Sequence, residues 1–167
     1  MICPSCGFEN IQGVDECENC GADLRTADLP GPSSRFEAFL IDAPLATVRH
    51  HAPLTIAPSA SAADAVRQMQ SAGVGCLLVE DQYGALRGIL SERDLVLKLV
   101  RAPLEGVKVA DMMTPDPVVL RADDSVAVAI HKMAVGGFRH IPLMADGHAT
   151  GVVSARDIFA HILDALR

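Results

Sequence analysis

The chain has 167 residues, of which 50% are hydrophobic and 21% are charged, and its net charge is −7 with histidine neutral. This length allows one sizeable domain and a smaller companion. The acidic balance disfavours binding to nucleic acid through bulk electrostatics, and no apolar run is long enough to span a bilayer. No apolar signal segment opens the sequence, so we expect a cytoplasmic protein that does not interact with membranes.

The N-terminal segment carries four cysteines in two Cys-x-x-Cys pairs separated by ten residues: Cys3, Cys6, Cys17 and Cys20. Each pair can form a turn that directs two thiolates towards one ion, and two such turns complete a tetrahedron. Gly7 and Gly21 follow the second cysteine of each pair, where a tight turn requires positive φ. The stretch resembles a short zinc ribbon, and we predict one over residues 1–25. Its zinc would be structural, because four thiolates leave no coordination position for water. Two disulfides are the alternative, which a reducing cytosol disfavours.

The ribbon is acidic, and no basic residue precedes Arg25. Its carboxylates are Glu9, Asp15, Glu16, Glu18 and Asp23. This charge favours contact with a protein partner over contact with nucleic acid.

Residues 26–44 are predicted to form a linker followed by a short helix. Prolines, a glycine and serines at 29–34 are typical of an exposed linker. Apolar residues at 36–41 predict a helix that docks on the module after it, with a partly ordered arm as the alternative.

The rest of the chain is a sequence that occurs twice. Gly-Ile-Leu-Ser-Glu-Arg-Asp-Leu at 88–95 returns as Gly-Val-Val-Ser-Ala-Arg-Asp-Ile at 151–158. Upstream, a shift of 64 residues aligns Ser61 with Ser125. Apolar runs and apolar residues at helical spacing give each copy the order strand, helix, strand, strand, helix, with these serines as helix N-caps. A unit of about 60 residues buries little surface alone, so we expect the two copies to pack together.

These repeats resemble a tandem pair of CBS domains (cystathionine-β-synthase-type domains, together a Bateman module). The resemblance covers about residues 45–166 and includes the signature Gly-x-x-Ser-x-x-Asp twice. Residues 109–115 also resemble the usual lead-in to a repeat. The resemblance implies an α/β (α+β) fold in which two β-α-β-β-α repeats, 45–102 and 103–167, pack with pseudo-two-fold symmetry after the four-Cys zinc ribbon. It also implies a homodimer formed through the helices of the repeats.

The resemblance further implies an adenosine-type ligand in the cleft between the repeats: AMP, ADP, ATP or an adenosyl compound such as S-adenosylmethionine. The candidate ligand-binding residues are Ser91, Arg93, Asp94, Arg139, His140, Ser154, Arg156 and Asp157. Each aspartate can accept both ribose hydroxyls, and each serine stands where hydroxyl and N–H groups can meet anionic oxygen. The alternative is that the serines and aspartates only cap helices, although capping does not exclude binding.

The two copies differ in positive charge. Arg139 and His140 in the second copy align with Gly75 and Cys76 in the first. We therefore expect the site around Asp157 to bind a nucleotide more tightly than the site around Asp94. The alternative is that Arg139 and His140 form an ordinary surface pair.

No nucleophile–base constellation and no phosphate-binding glycine loop stands out in the sequence, so no enzymatic activity is expected. We interpret the chain as a regulatory sensor of an adenine nucleotide, with a zinc ribbon for contact with a partner. The alternatives are a constitutive protein-interaction scaffold with unoccupied clefts and a nucleic-acid-associated regulator that uses the ribbon.

Overall fold

The structure is a computed structural model that describes residues 2–11, 14–24, 34–99 and 106–166. The chain divides into two compact units, Met1–Phe39 and Leu40–Arg167. The predicted linker at 29–34 lies, apart from Ser34, outside the described residues. The predicted short helix is present as α1, Arg35–Asp42.

The first unit contains two Cys-x-x-Cys turns, each closed by an antiparallel backbone bridge. The bridges join Ile2 to Glu9 and Glu16 to Asp23. Gly7 and Gly21 have φ values of 76° and 70°, which confirms the expected turn conformation after each pair. Cys3, Cys17 and Leu24 form a buried cluster. The turns therefore hold the cysteines around one small core.

The second unit has the element order predicted from the repeat, except for the first strand of the second copy. The first copy contains a 3-10 helix (Leu45–Thr47), β1 (Thr55–Ile56), α2 (Ala62–Ala72), β2 (Cys76–Glu80), β3 (Leu86–Ser91) and α3 (Glu92–Leu99). The second contains α4 (Val109–Met112), β4 (Thr114–Pro115), α5 (Val126–Gly136), β5 (His140–Ala145), β6 (His148–Ser154) and α6 (Ala155–Ala165). The α/β fold class is confirmed. That first strand, expected in the apolar run before Ser125, is reduced to one bridge, in which Leu120 pairs in parallel with Leu143.

Local sequence signals define where α2 and α5 begin and end. The hydroxyl oxygen of Ser61 accepts a hydrogen bond from Asp64 N at 3.0 Å, and that of Ser125 accepts one from Val128 N at 3.3 Å. Both helices end at a glycine in the left-handed region. The two repeats thus use the same N-cap serine, as predicted, and they also share a C-cap glycine.

Each repeat is completed by the segment that leads into the other repeat. β4 precedes the second copy but pairs antiparallel with β3 of the first. His51 precedes β1 of the first copy but pairs antiparallel with Val152 in β6. Matching hydrogen bonds of 2.9 Å run from Ala62 N to Val107 O and from Val126 N to Ala43 O. This exchange brings residues of the second lead-in to the β3–α3 junction of the first copy.

The sheet of the first repeat has the strand order β1-β2-β3-β4, and β5 pairs with β6 in the second. One face of the first sheet packs with α2, α3 and α4. On the other face, Cys76, Leu78 and Ile89 are buried with Val152 of β6. The two repeats therefore share an apolar interface, consistent with the expectation that neither folds alone.

No helix among the described residues is both long and apolar enough to cross a membrane.

Candidate functional site

The junction between β3 and α3 carries Ser91 and Asp94. Ser91 donates to one carboxylate oxygen of Asp94 from its backbone N–H at 2.9 Å and from its hydroxyl at 2.6 Å. The other oxygen accepts a hydrogen bond from Thr114 Oγ1 at 3.3 Å. Thr114 belongs to β4 and reaches this junction through the exchange of lead-in segments. One carboxylate oxygen is thus fixed by the serine, while the other faces an exposed hydroxyl.

This junction opens into a cleft of about 490 Å³, a size typical of small-molecule sites. The second repeat provides the opposite wall through Thr114, Asp116–Val118 and Gly136–His140. Apolar side chains also line the cleft: Ile89, Leu97, Pro117, Val118 and Phe138. The cavity therefore combines a carboxylate, hydroxyls, apolar surface and basic groups.

Arg93, Arg139 and His140 supply the basic groups of this cleft. Arg93 Nη1 donates to the Gly137 carbonyl at 2.7 Å, which ties α3 to the end of α5. Burial lowers the pKa of His140 below its ordinary value of 6.5, and the nearby carboxylates of Glu92 and Asp157 oppose this shift. His140 is therefore mainly neutral at pH 7, and the two arginines carry the positive charge.

The equivalent junction between β6 and α6 has the same serine–aspartate arrangement but a different neighbour. Ser154 N donates to one carboxylate oxygen of Asp157 at 2.9 Å, and the Ser154 hydroxyl donates to the same oxygen. The other oxygen lies 3.5 Å from His51 Nε2. Only about 10% of the Asp157 side chain is accessible to solvent. Arg156 is exposed on the first turn of α6. An imidazole thus stands here where the first junction has the Thr114 hydroxyl.

The relative affinity of the two sites stays a prediction, but Arg139 and His140 do not lie at the Asp157 junction alone. The backbone of Arg139 is bound to the Asp157 junction, since its carbonyl accepts a hydrogen bond from Ala155 N at 2.9 Å. Nevertheless, Arg139 and His140 line the cleft of Asp94. The reason is that β5 begins between the two junctions. The backbone at its start pairs with the Asp157 junction, while the side chains of Arg139 and His140 line the cleft of Asp94 in the first repeat.

Several cleft residues were missed by sequence reasoning: Glu92, Thr114, Asp116 and Phe138. Thr114 and Asp116 lie in the lead-in to the second repeat, and only the non-local pairing of β4 with β3 places them by Asp94. Asp116 also has an unusual backbone conformation, a positive φ of 45°, which aspartate tolerates better than most residues. That conformation is not readable from the sequence.

The four N-terminal cysteines form one cluster, in which all four sulfur atoms lie within 4.8 Å of one another. The Sγ atoms are 3.7 Å apart in two pairs, Cys3 with Cys20 and Cys6 with Cys17. Zn–S bonds of about 2.3 Å in a tetrahedron place the sulfurs about 3.8 Å apart, so the cluster fits a zinc ribbon. Burial alone would raise the pKa of Cys17, but hydrogen bonds from the backbone of Cys20 and Asn19 and from the Asn10 side chain lower it to about 6. Donors that stabilise a thiolate also suit a metal ligand.

The CBS domain family model matches residues 45–101 and 109–164. The CBS domain-containing protein CBSCBSPB5 of Arabidopsis thaliana is 34% identical over 115 residues, which are 68% of this chain and 20% of that protein. The chain therefore spans about a fifth of that relative's length.

Two solved structures are similar over most of the second unit. The CBS-domain containing protein ATU1752 from Agrobacterium tumefaciens is 27% identical with a TM-score of 0.63, covering 66% of this chain and 84% of that one. CBSX2 in complex with AMP is 25% identical with a TM-score of 0.63, covering 75% of this chain and 99% of that one. The chain belongs to the CBS-domain family and carries two copies of the domain in tandem.

Proposed function

We propose that this protein is a non-enzymatic regulatory module that binds an adenine nucleotide in the cleft of Asp94. The observation that carries the proposal is the composition of this one cavity, which joins a junction carboxylate, an apolar wall and Arg139 across the two repeats. Binding between the repeats would stabilise one arrangement of the repeats, or of two protomers, over others. That population shift is the regulatory signal.

Each part of the cleft has a counterpart in the ligand. The Asp94 oxygen that faces Thr114 accepts the ribose hydroxyls, while Ser91 holds the other oxygen in place. Apolar side chains such as Ile89 and Phe138 enclose the base. The guanidinium of Arg139 binds the phosphate as a charge-assisted donor. The complex of the similar protein CBSX2 with AMP supports the same class of ligand.

Ser154, Arg156 and Asp157 form a second, weaker site. Asp157 is almost fully buried and has His51 against its second oxygen. In the sequence alignment of the two copies, Gly75 and Cys76 stand where the second copy has Arg139 and His140. Among the described residues, the first copy thus has no counterpart of Arg139 to offer to this site. We expect one nucleotide per chain at low ligand concentration, bound beside Asp94.

The four cysteines bind a structural zinc ion. The 3.7 Å sulfur separations and the common cluster support this assignment. The acidic ribbon also exposes Ile2, Phe8 and Ile11, a combination suited to contact with a protein partner. The ribbon would then transmit the ligand-dependent state to that partner.

A second copy of the chain is the partner of the CBS pair. α6 exposes Phe159 and Leu163, its C-cap residue Leu166 is exposed as well, and α3 exposes Val96 and Leu97. Exposed apolar side chains on two helices favour association, and pairing through helices is what the family resemblance implies.

One observation favours a different function, that of a constitutive interaction scaffold. Ser91 with Asp94 and Ser154 with Asp157 both form reciprocal hydrogen bonds of the kind that cap helices. These bonds stabilise α3 and α6 without a ligand. The scaffold therefore accounts for both motifs, but not for the arginine and apolar wall gathered beside Asp94.

Calorimetric titration of the full chain with AMP separates the two functions. A nucleotide sensor gives saturable binding with about one site per chain. A scaffold gives no heat with AMP, ADP, ATP or S-adenosylmethionine, and that result would refute the proposed function.

A further inference from the structure

The described residues that line the Asp94 cleft include more carboxylates than guanidinium groups. Among the described lining residues there are three carboxylates, on Glu92, Asp94 and Asp116, and two guanidinium groups, on Arg93 and Arg139. With His140 neutral, the cleft walls carry one net negative charge. Phosphate binding here depends on local placement of a cation rather than on a generally positive cavity.

The two arginines are not equally available to a ligand. Arg93 is bound to the Gly137 carbonyl at 2.7 Å. Within the described part of the chain, the guanidinium of Arg139 has no protein partner, and its side chain is exposed at the cleft. The cleft therefore offers one uncommitted arginine, which suits one phosphate group.

The carboxylates remain close to any additional phosphate. A cavity of 490 Å³ is roughly 10 Å across, which is about one Debye length at 0.1 M ionic strength and well within the Debye length of about 30 Å at 0.01 M. Glu92 is exposed and lies beside His140, since Glu92 Oε2 and His140 Nε2 lie 3.7 Å and 3.1 Å from the Cβ position that a side chain at Gly75 would occupy. Asp116 lies on the opposite wall, next to Thr114. Each phosphate beyond the first adds about one negative charge within range of both.

We propose that the cleft selects a nucleoside monophosphate and discriminates against free di- and triphosphates, with Arg139 as the attractive element and Glu92 and Asp116 as the repulsive one. This inference rests on the proposed function, because it concerns the ligand of the same cleft. Specificity of this kind requires an element that penalises the wrong ligand as well as one that attracts the right one.

Calorimetric titrations of the full chain with adenosine, AMP, ADP and ATP in buffer without magnesium test the proposal. At low ionic strength, where screening is weak, we expect AMP to bind about tenfold more tightly than ATP, because one unit charge at 10 Å and an effective dielectric constant near 20 changes affinity by roughly that factor. In Arg139→Gln, AMP should lose its advantage over adenosine. In the double variant Glu92→Gln/Asp116→Asn, the AMP preference over ATP should fall to about threefold or less.

A matched control removes two carboxylates outside the cleft. Asp123→Asn/Asp146→Asn changes the net charge by the same amount, and asparagine tolerates the φ of 50° at position 146. This control should keep the wild-type preference for AMP. The proposal is overturned if ATP binds as tightly as AMP to the wild type, or if both double variants change the preference equally. Absence of binding by all four ligands, adenosine included, would instead refute the proposed function.

Discussion

Asp94 and Asp157 make the same hydrogen bonds to a serine three residues earlier, yet their second oxygens meet different groups. Asp94 faces the exposed hydroxyl of Thr114, whereas Asp157 faces the imidazole of His51. Equivalent residues of this duplicated sequence therefore have different surroundings. The local motif gives each aspartate its cap, and the exchanged lead-in segment supplies the group that faces its second oxygen.

His140 makes the stability of the second unit depend on pH. Its pKa is lowered by burial from the ordinary value of 6.5, so the unfolded chain binds a proton more readily than the folded one. The contribution of His140 to the free energy of unfolding is therefore fully present above pH 6.5 and is lost as the pH falls through the lowered pKa. Urea unfolding at pH 7.5 and pH 5.5 measures this loss, which we expect to be smaller in His140→Gln.

The control for this prediction is His131→Gln, which removes an exposed imidazole from α5 instead. The prediction fails if His140→Gln keeps the full loss of stability between the two pH values. It also fails if wild-type stability rises on acidification over this range.

At the residue scale, the sequence was sufficient to predict contacts between residues that are close together in the chain. Ser61 and Ser125 cap helices as predicted, because a hydroxyl reaches a backbone N–H three residues away. The environment of Arg139 could not be obtained in this way. Its alignment with Gly75 is a property of the sequence, but the cleft it lines depends on how the two repeats pack.

At the scale of elements, the exchange of lead-in segments is the feature that builds the cleft. β4 is only two residues long and pairs with a strand that precedes it by more than twenty residues. No periodicity in so short a segment indicates its partner. The element order was predictable from the duplication, whereas the pairing of β4 with β3 and of His51 with Val152 required the structure.

The exposed faces of α3 and α6 predict self-association. Phe159 on α6 is 61% exposed, and Phe159→Glu would place a charge in the proposed interface. We expect sedimentation velocity to give a dimer for the wild type and a monomer for this variant. Val135→Glu is the matched control, because Val135 is 76% exposed on α5 and should leave the dimer intact. A monomeric wild type at all concentrations, or dissociation by both variants, would contradict the proposed interface.

At the scale of the whole molecule, the chain combines a unit built around four thiols with a unit built around two repeats. The spacing of the cysteines predicted their cluster because each Cys-x-x-Cys turn is local. The division between the units at Phe39 lies within the predicted segment 26–44. The predicted boundaries of the individual domains stay a prediction.

Zinc content follows from the proposed role of the cysteines. Metal analysis of the purified chain should give about one zinc ion per molecule, and Cys17→Ser should lower this value because a tetrathiolate site loses a ligand. Cys76→Ala is the control, because the Cys76 thiol is buried in the second unit with its pKa raised to about 12. Equal zinc contents in the wild type and Cys17→Ser would argue against the ribbon.

The central claim is that one nucleotide binds beside Asp94, and the most direct test compares Asp94→Asn with Asp157→Asn by calorimetric titration with AMP. Asparagine keeps the size of the side chain, and circular dichroism of both variants verifies that each is folded. We predict that Asp94→Asn weakens AMP binding by about tenfold or more, since it removes a charge-assisted hydrogen bond. Asp157→Asn should change the affinity by less than about threefold. A larger loss from Asp157→Asn than from Asp94→Asn would contradict the account.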